Sequence, residues 1–236
     1  MTIALWGDNH ILKRRAPLSC IGPMANVFVT GGTGYIGSRL IVALQSRDHV
    51  LRALVRPGSV TRLPPNTGII QGDALRSDSY TDRIPPADTF VHLIGTPHPS
   101  PAKAKHFKEI DLVSIQVASK AAREAGVRHF IYLSVAHPAP LMEAYIKIRQ
   151  EGEAMLRETG IPLTFVRPWY VLGPGHWWPY AILPIYWLME MLPSTRESAR
   201  RLGLVTIQQV VNSLVWAVEN PPEKIRILDV PEIRKF

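Results

Sequence analysis

Val27-Phe28-Val29-Thr30-Gly31-Gly32-Thr33-Gly34-Tyr35-Ile36-Gly37-Ser38-Arg39-Leu40 decides how the rest of the chain is read. Three β-favouring residues run into a cluster of glycines, and an apolar pattern of helical spacing then starts at Ile36, Leu40, Ile41 and Leu44. The order is strand, tight turn, helix. In such a turn one glycine allows a positive φ, another lets the backbone approach a pyrophosphate, and a third lets helix and strand pack closely. Free N–H groups at the positive end of the helix then face the anion. A glycine-rich turn alone is a common feature; the strand before it and the helix after it are what give this one meaning.

The spacing Thr30-Gly31-x-x-Gly34-x-x-Gly37 resembles the signature of the extended and atypical short-chain dehydrogenases/reductases, of the NmrA-like and epimerase-like kind. The resemblance runs from about Asn26 to about Arg234. It implies a single Rossmann domain, an α/β doubly wound parallel sheet that binds NAD(P), with a small C-terminal substrate or lid region at about 173–204. It assigns the cofactor to Thr30, Gly31, Gly32, Thr33, Gly34, Tyr35, Ile36 and Gly37, then to Gly72, Asp73 and Ala74, to Leu93, Ile94 and Gly95, and to Pro168.

With 236 residues and 46% hydrophobic content, the chain can bury a full single-domain core. Its net charge of +8 raises the question of nucleic acid. The basic residues are scattered, however, and no zinc or helix-turn-helix spacing accompanies them, so an anionic cofactor explains the charge better and no nucleic-acid partner is expected. Cys20 is the only cysteine, which leaves no disulfide framework or cysteine metal cluster and fits a reducing cytoplasm. No His/Asp/Glu spacing suggests a metal. Residues 1–25 read as a leader without fixed structure, ahead of a domain over 26–236. Its apolar stretch Leu18–Ile21 is too short for a signal core or a membrane span.

Along the chain, strand and helix alternate: strands at 49–55, 68–73, 87–95, 127–134 and 163–168, helices at 102–126 and 142–159, and a last strand at Ile225–Val230. The second strand ends at Arg56. An Asp or Glu there would hold the ribose hydroxyls of NAD, whereas an arginine fork suits a 2′-phosphate. NADP is therefore the expected cofactor, NAD the second choice, and a solvated surface arginine the plain alternative. His92 lies inside the fourth strand, where a hydrogen-bonded core histidine is the expected state.

The resemblance also frames the chemistry. Carbonyl-reducing members use an Asn-Ser-Tyr-Lys set, in which tyrosine gives the proton and lysine lowers its pKa. Here Tyr145 is followed four residues later by Arg149, while Lys147 points elsewhere. By the same register Val135 stands in the serine place, with Ser134 before it, and Asp111 stands near the asparagine place. Tyr145, Arg149 and Ser134 are the catalytic candidates, with Arg149 free to bind ribose hydroxyls and bias Tyr145. Further on, Gly173-Pro174-Gly175 precedes the aromatic stretch 176–189, and Trp169, Trp177, Trp178 and Tyr186 are the candidates for contact with a small apolar substrate. Pro184 and Glu190 interrupt that stretch, so it reads as a lid or an interfacial segment and not as a membrane span. Two functions lead, an NADP(H)-dependent reductase of an apolar carbonyl or quinone and a non-catalytic NADP(H)-binding sensor or accessory subunit; a sugar-nucleotide epimerase ranks third, since the aromatic stretch lacks the polar groups a sugar demands.

Overall fold

Alternation along the first strand sets the layers. Val27 and Val29 turn to one face of the sheet and Phe28 to the other, and all three are buried. A strand apolar on both faces must lie inside a sheet covered on both sides. The computed structural model, which describes residues 24–96, 100–139, 142–175, 181, 183–193 and 196–236, has that arrangement.

In chain order the elements are β1 (Asn26–Thr30), α1 (Tyr35–Gln45), β2 (Val50–Val55), β3 (Gly68–Gln71), β4 (Thr89–His92) and the short α2 (Ala104–His106). A π-helical segment, Phe107–Leu112, leads into α3 (Val113–Glu124), β5 (His129–Leu133), α4 (Glu143–Arg157) and β6 (Leu163–Val166). The last third holds β7 (Val171–Leu172), α5 (Leu183–Met191), α6 (Arg196–Arg201), β8 (Val205–Thr206), α7 (Ile207–Glu219), β9 (Ile225–Leu228) and α8 (Val230–Ile233). Seven strands form one parallel sheet in the order β3-β2-β1-β4-β5-β6-β9, as the doubly wound reading expects.

One face packs Val27, Val29, Val91 and Ile131 under α1 and α7, with Leu40, Leu44, Val210 and Leu214 facing them. The other face stacks the rings of Phe28, Phe90 and Phe130 across neighbouring strands, with centroids 5.1 and 4.9 Å apart, beneath α3 and α4. Gly126, at φ +69°, ends the first long helical stretch as the sequence suggests. Thr206 and Gln209 cap α7 reciprocally, each side chain bonding the other's backbone N–H. The small β7–β8 ladder was not legible in the sequence; it ties the chain after β6 to the start of α7.

Among the described residues no helix is long and apolar enough to cross a membrane. Of the leader expected over 1–25, only Met24 and Ala25 fall within the described residues. Trp177 and Trp178 lie outside them.

Candidate functional site

In this strand order the chain reverses direction between β1 and β4: β1 leads outward to β2 and β3 on one side, and the remaining strands continue on the other. Such a reversal opens a crevice at the carboxyl ends of the two central strands. A cleft of about 520 Å³ occupies that place. Gly31 and Thr33 form its middle, Leu54, Val55, Arg56 and Ser59 one end, Gly72, Asp73, Ala74 and Leu75 a side wall, and Ile94, Gly95 and Thr96 the wall after β4. Lys103, His106 and Ile110 close it from the helical stretch that follows.

The glycine turn is shaped by contact. Gly31 stands at φ +77°, and a Cβ there would meet the Leu93 carbonyl carbon at 2.9 Å. A Cβ on Gly37 would lie 2.2 Å from the Gly31 carbonyl oxygen, so α1 starts hard against the turn. The turn closes through Gly34 N–H to Gly31 O at 3.0 Å. No side chain caps the start of α1 and no acid lies in its first turn, so its N–H groups suit an anion. These features fit the diphosphate of a dinucleotide.

Of the residues assigned to the cofactor from sequence, Gly31, Thr33, Arg56, Gly72, Asp73, Ala74, Ile94 and Gly95 line the cleft. Thr30, Gly32, Gly34, Tyr35, Ile36, Gly37 and Leu93 build its base or flank without lining it. The Thr30 hydroxyl, for example, is buried and bonds His92 Nδ1 at 2.8 Å. Pro168 stands apart, buried, its carbonyl accepting from Ala136 N–H. Asp73 lines the cleft and also turns its own loop, accepting from Leu75 N–H at 3.0 Å. His92 is the bonded core histidine expected, between Thr30 and Ser114, and burial followed by the Arg149 charge lowers its pKa to about 3.

Leu54, Val55, Ser59, Leu75, Thr96, Lys103, His106 and Ile110 were missed. Lys103 and His106 approach from a segment beyond a proline-rich loop, and only the fold brings them to the cleft that Arg56 lines. Ser59 had a signal: it stands three residues after Arg56, in the 3₁₀ turn Pro57–Arg62 that carries the chain away from β2.

The catalytic candidates lie outside the lining of this cleft. Tyr145 is half-buried, its ring 5.1 Å from Phe107 and 5.0 Å from the Arg149 guanidinium carbon. Arg149, expected to reach ribose hydroxyls, is instead 3% exposed and turned inward. Its Nη1 donates to Ile94 O, Leu133 O and Tyr132 Oη at 3.2 Å each, and its Nη2 to Asp111 Oδ1 at 2.7 Å. The reason is electrostatic and geometric: buried Asp111 needs a cation, and only a fork can also serve two strand-end carbonyls. Ser134 is buried as well, its hydroxyl beside Glu153. Burial works against the charge of Glu153, but the Arg167 fork, with His137 and Ser134 beside the carboxyl, outweighs it and holds the carboxyl at a pKa of about 2. Of the apolar-substrate candidates, Trp169 and Tyr186 come together, the indole beside the phenol, and both pack against the α1/α7 core.

A family profile described as NAD(P)H-binding matches residues 31–174, which take in the glycine turn, every strand-end residue of the cleft and Tyr145. The chain belongs to the NAD(P)H-binding family. Its fold also bears out the resemblance to the extended and atypical short-chain dehydrogenases/reductases. Two curated relatives are reductases. A ceramide reductase of Caulobacter vibrioides is 25% identical over 89% of this chain and 65% of its own length. A (4-alkanoyl-5-oxo-2,5-dihydrofuran-3-yl)methyl phosphate reductase of Streptomyces griseus is 31% identical over 60% of this chain and 46% of its own. The chain thus spans less than two thirds of either relative. Among solved structures, the Bordetella bronchiseptica enzyme WbmH in complex with NAD+ shares the fold, with a TM-score of 0.66, 20% identity, and coverage of 87% of this chain and 76% of that one. The family match supports a nicotinamide dinucleotide as the cofactor.

Proposed function

We propose that the chain is an NADP(H)-dependent reductase of an apolar carbonyl or quinone. The observation that carries the choice of cofactor is the cleft's end beyond β2. Arg56 is exposed there and lines the cleft with Ser59, while no carboxylate follows β2 to hold a free 2′-hydroxyl. Lys103 and His106 line the same cleft. A phosphate on the 2′ oxygen suits this basic border better than a hydroxyl does.

Bound in the cleft, NADPH supplies a hydride. The chain's own residues do the rest: the glycine turn and the start of α1 hold the diphosphate, Arg56 forks the 2′-phosphate, and Tyr145 gives the proton to the substrate oxygen. The Arg149 guanidinium packs against the Tyr145 ring, on the helix position where family members carry a lysine. The reductase relatives support reduction as the reaction class.

The second reading, a non-catalytic NADP(H)-binding sensor or accessory subunit, is favoured by one observation. Arg149 is committed to internal acceptors, and Val135 stands where a serine would position the substrate oxygen. Following NADPH oxidation across quinones and apolar aldehydes separates the two. Turnover with at least one substrate class supports the reductase; tight NADPH binding with no turnover across the panel supports the sensor.

A further inference from the structure

Beyond β4 the chain leaves the ladder, yet Ile94, Gly95 and Thr96 form a wall of the cleft. Their polar groups are held by two side chains from two different helical segments. Arg149, on α4, donates to the Ile94 carbonyl and to the Leu133 carbonyl at the end of β5, so it stitches the two strand ends together past their last ladder bonds. Asp111, in the π-helical segment, accepts from Thr96 N–H at 3.0 Å and from the Thr96 hydroxyl at 2.6 Å. The 2.7 Å bond between Arg149 and Asp111 closes the ring. Gly95 sits in its centre: a Cβ there would lie 2.0 Å from Arg149 Nη2.

A buried ion pair adds little net stability, because desolvation offsets most of the attraction, and apolar replacements of both partners are commonly tolerated. The side chains of this pair are only 4% and 0% exposed. Stability alone therefore does not account for a pair that, besides the bond between its own members, makes five hydrogen bonds to one short stretch of wall and its neighbour Leu133. Resting on the dinucleotide reading above, we propose that Arg149 and Asp111 are a positioning pair: they fix Ile94-Gly95-Thr96 in the shape that receives the nicotinamide-ribose half of the cofactor. The strand order places this wall on the β4 side of the glycine turn and Arg56 on the β2 side, so the pair acts on one half of the cleft and not the other.

The test compares two ligands on the full chain by calorimetry: NADPH, and adenosine 2′,5′-bisphosphate, which carries only the half that Arg56 serves. Arg149→Lys keeps the charge but lacks the fork needed to span Ile94, Leu133 and Asp111. The double variant Arg149→Met/Asp111→Leu removes both charges together and so avoids stranding either one in the core. Both variants are expected to bind NADPH at least 10-fold more weakly than the parent, with the adenosine bisphosphate held within 2-fold. The Thr96 amide is expected to exchange with solvent faster in the unliganded double variant. Unchanged NADPH affinity in either variant overturns the proposal. Equal weakening of both ligands also overturns it, because that pattern belongs to a generally loosened fold. A parent that binds neither ligand refutes the dinucleotide reading itself, an outcome distinct from both.

Discussion

Gly37→Ala tests the joint between turn and helix with one methyl group. The new Cβ would stand 2.2 Å from the Gly31 carbonyl oxygen and 2.8 Å from the Gly32 Cα, whereas real Cβ atoms essentially never come within 3.0 Å of such atoms. Both obstacles are backbone, so no side chain can swing aside, and the first turn of α1 must withdraw by about 0.8 Å. Overpacking of this kind costs about 1–3 kcal/mol. In a domain of this size that corresponds to a fall of about 2–12 °C in Tm. The N–H groups aimed at the diphosphate move with the helix, so NADPH affinity is expected to fall about 10-fold or more. Gly58→Ala is the matched control, since a Cβ there meets nothing within 4 Å and the residue needs no positive φ. Differential scanning fluorimetry with and without NADPH, beside calorimetry, reads both effects. If Gly37→Ala melts and binds like Gly58→Ala, the close approach of turn and helix is not what builds the site.

Two further outcomes are expected. Tyr145→Phe keeps the ring contacts with Phe107 and Arg149, so NADPH affinity holds while turnover in the quinone and aldehyde panel falls about 100-fold, the usual scale for loss of a general acid; equal turnover would assign the proton to another group. Burial lowers the His92 pKa from 6.5 to about 3, so the fold keeps this ring neutral; the stability it contributes is full above pH 6.5 and drains as pH falls from there towards 3, at up to about 1.4 kcal/mol per unit. Melting at pH 7.5 and pH 5 is expected to show that loss, and His92→Gln to reduce it without abolishing it, because burial lowers His129 to about 4 in the same sense; an unchanged pH slope in the variant would count against a neutral His92.

The fold was legible because its signals are local. Val27–Leu40 carries strand, turn and helix within one short window, and β2 and β3 are followed by residues that stop a strand, Pro57-Gly58 and Gly72. The cleft's strand-end residues followed from the same logic, since Arg56, Asp73 and Gly95 each lie just beyond a strand. What stayed hidden depends on direction in space. Helical spacing placed Tyr145 and Arg149 on one face of α4, but the inward turn of Arg149 is set by a buried carboxylate 38 residues away. Lys103 and His106 reach the cleft only because the chain folds back over β4. The π-helical segment, which carries Asp111, reads in sequence as ordinary helix.

The most direct test of the account is a titration of the unmodified full chain with NADPH and with NADH. The account predicts saturable one-to-one binding of both, with NADPH tighter by about 10-fold or more, the 1–3 kcal/mol scale of a charge-assisted fork, and with most of that gap lost in Arg56→Ala. Equal affinities for the two dinucleotides, or no saturable binding of either, would contradict it.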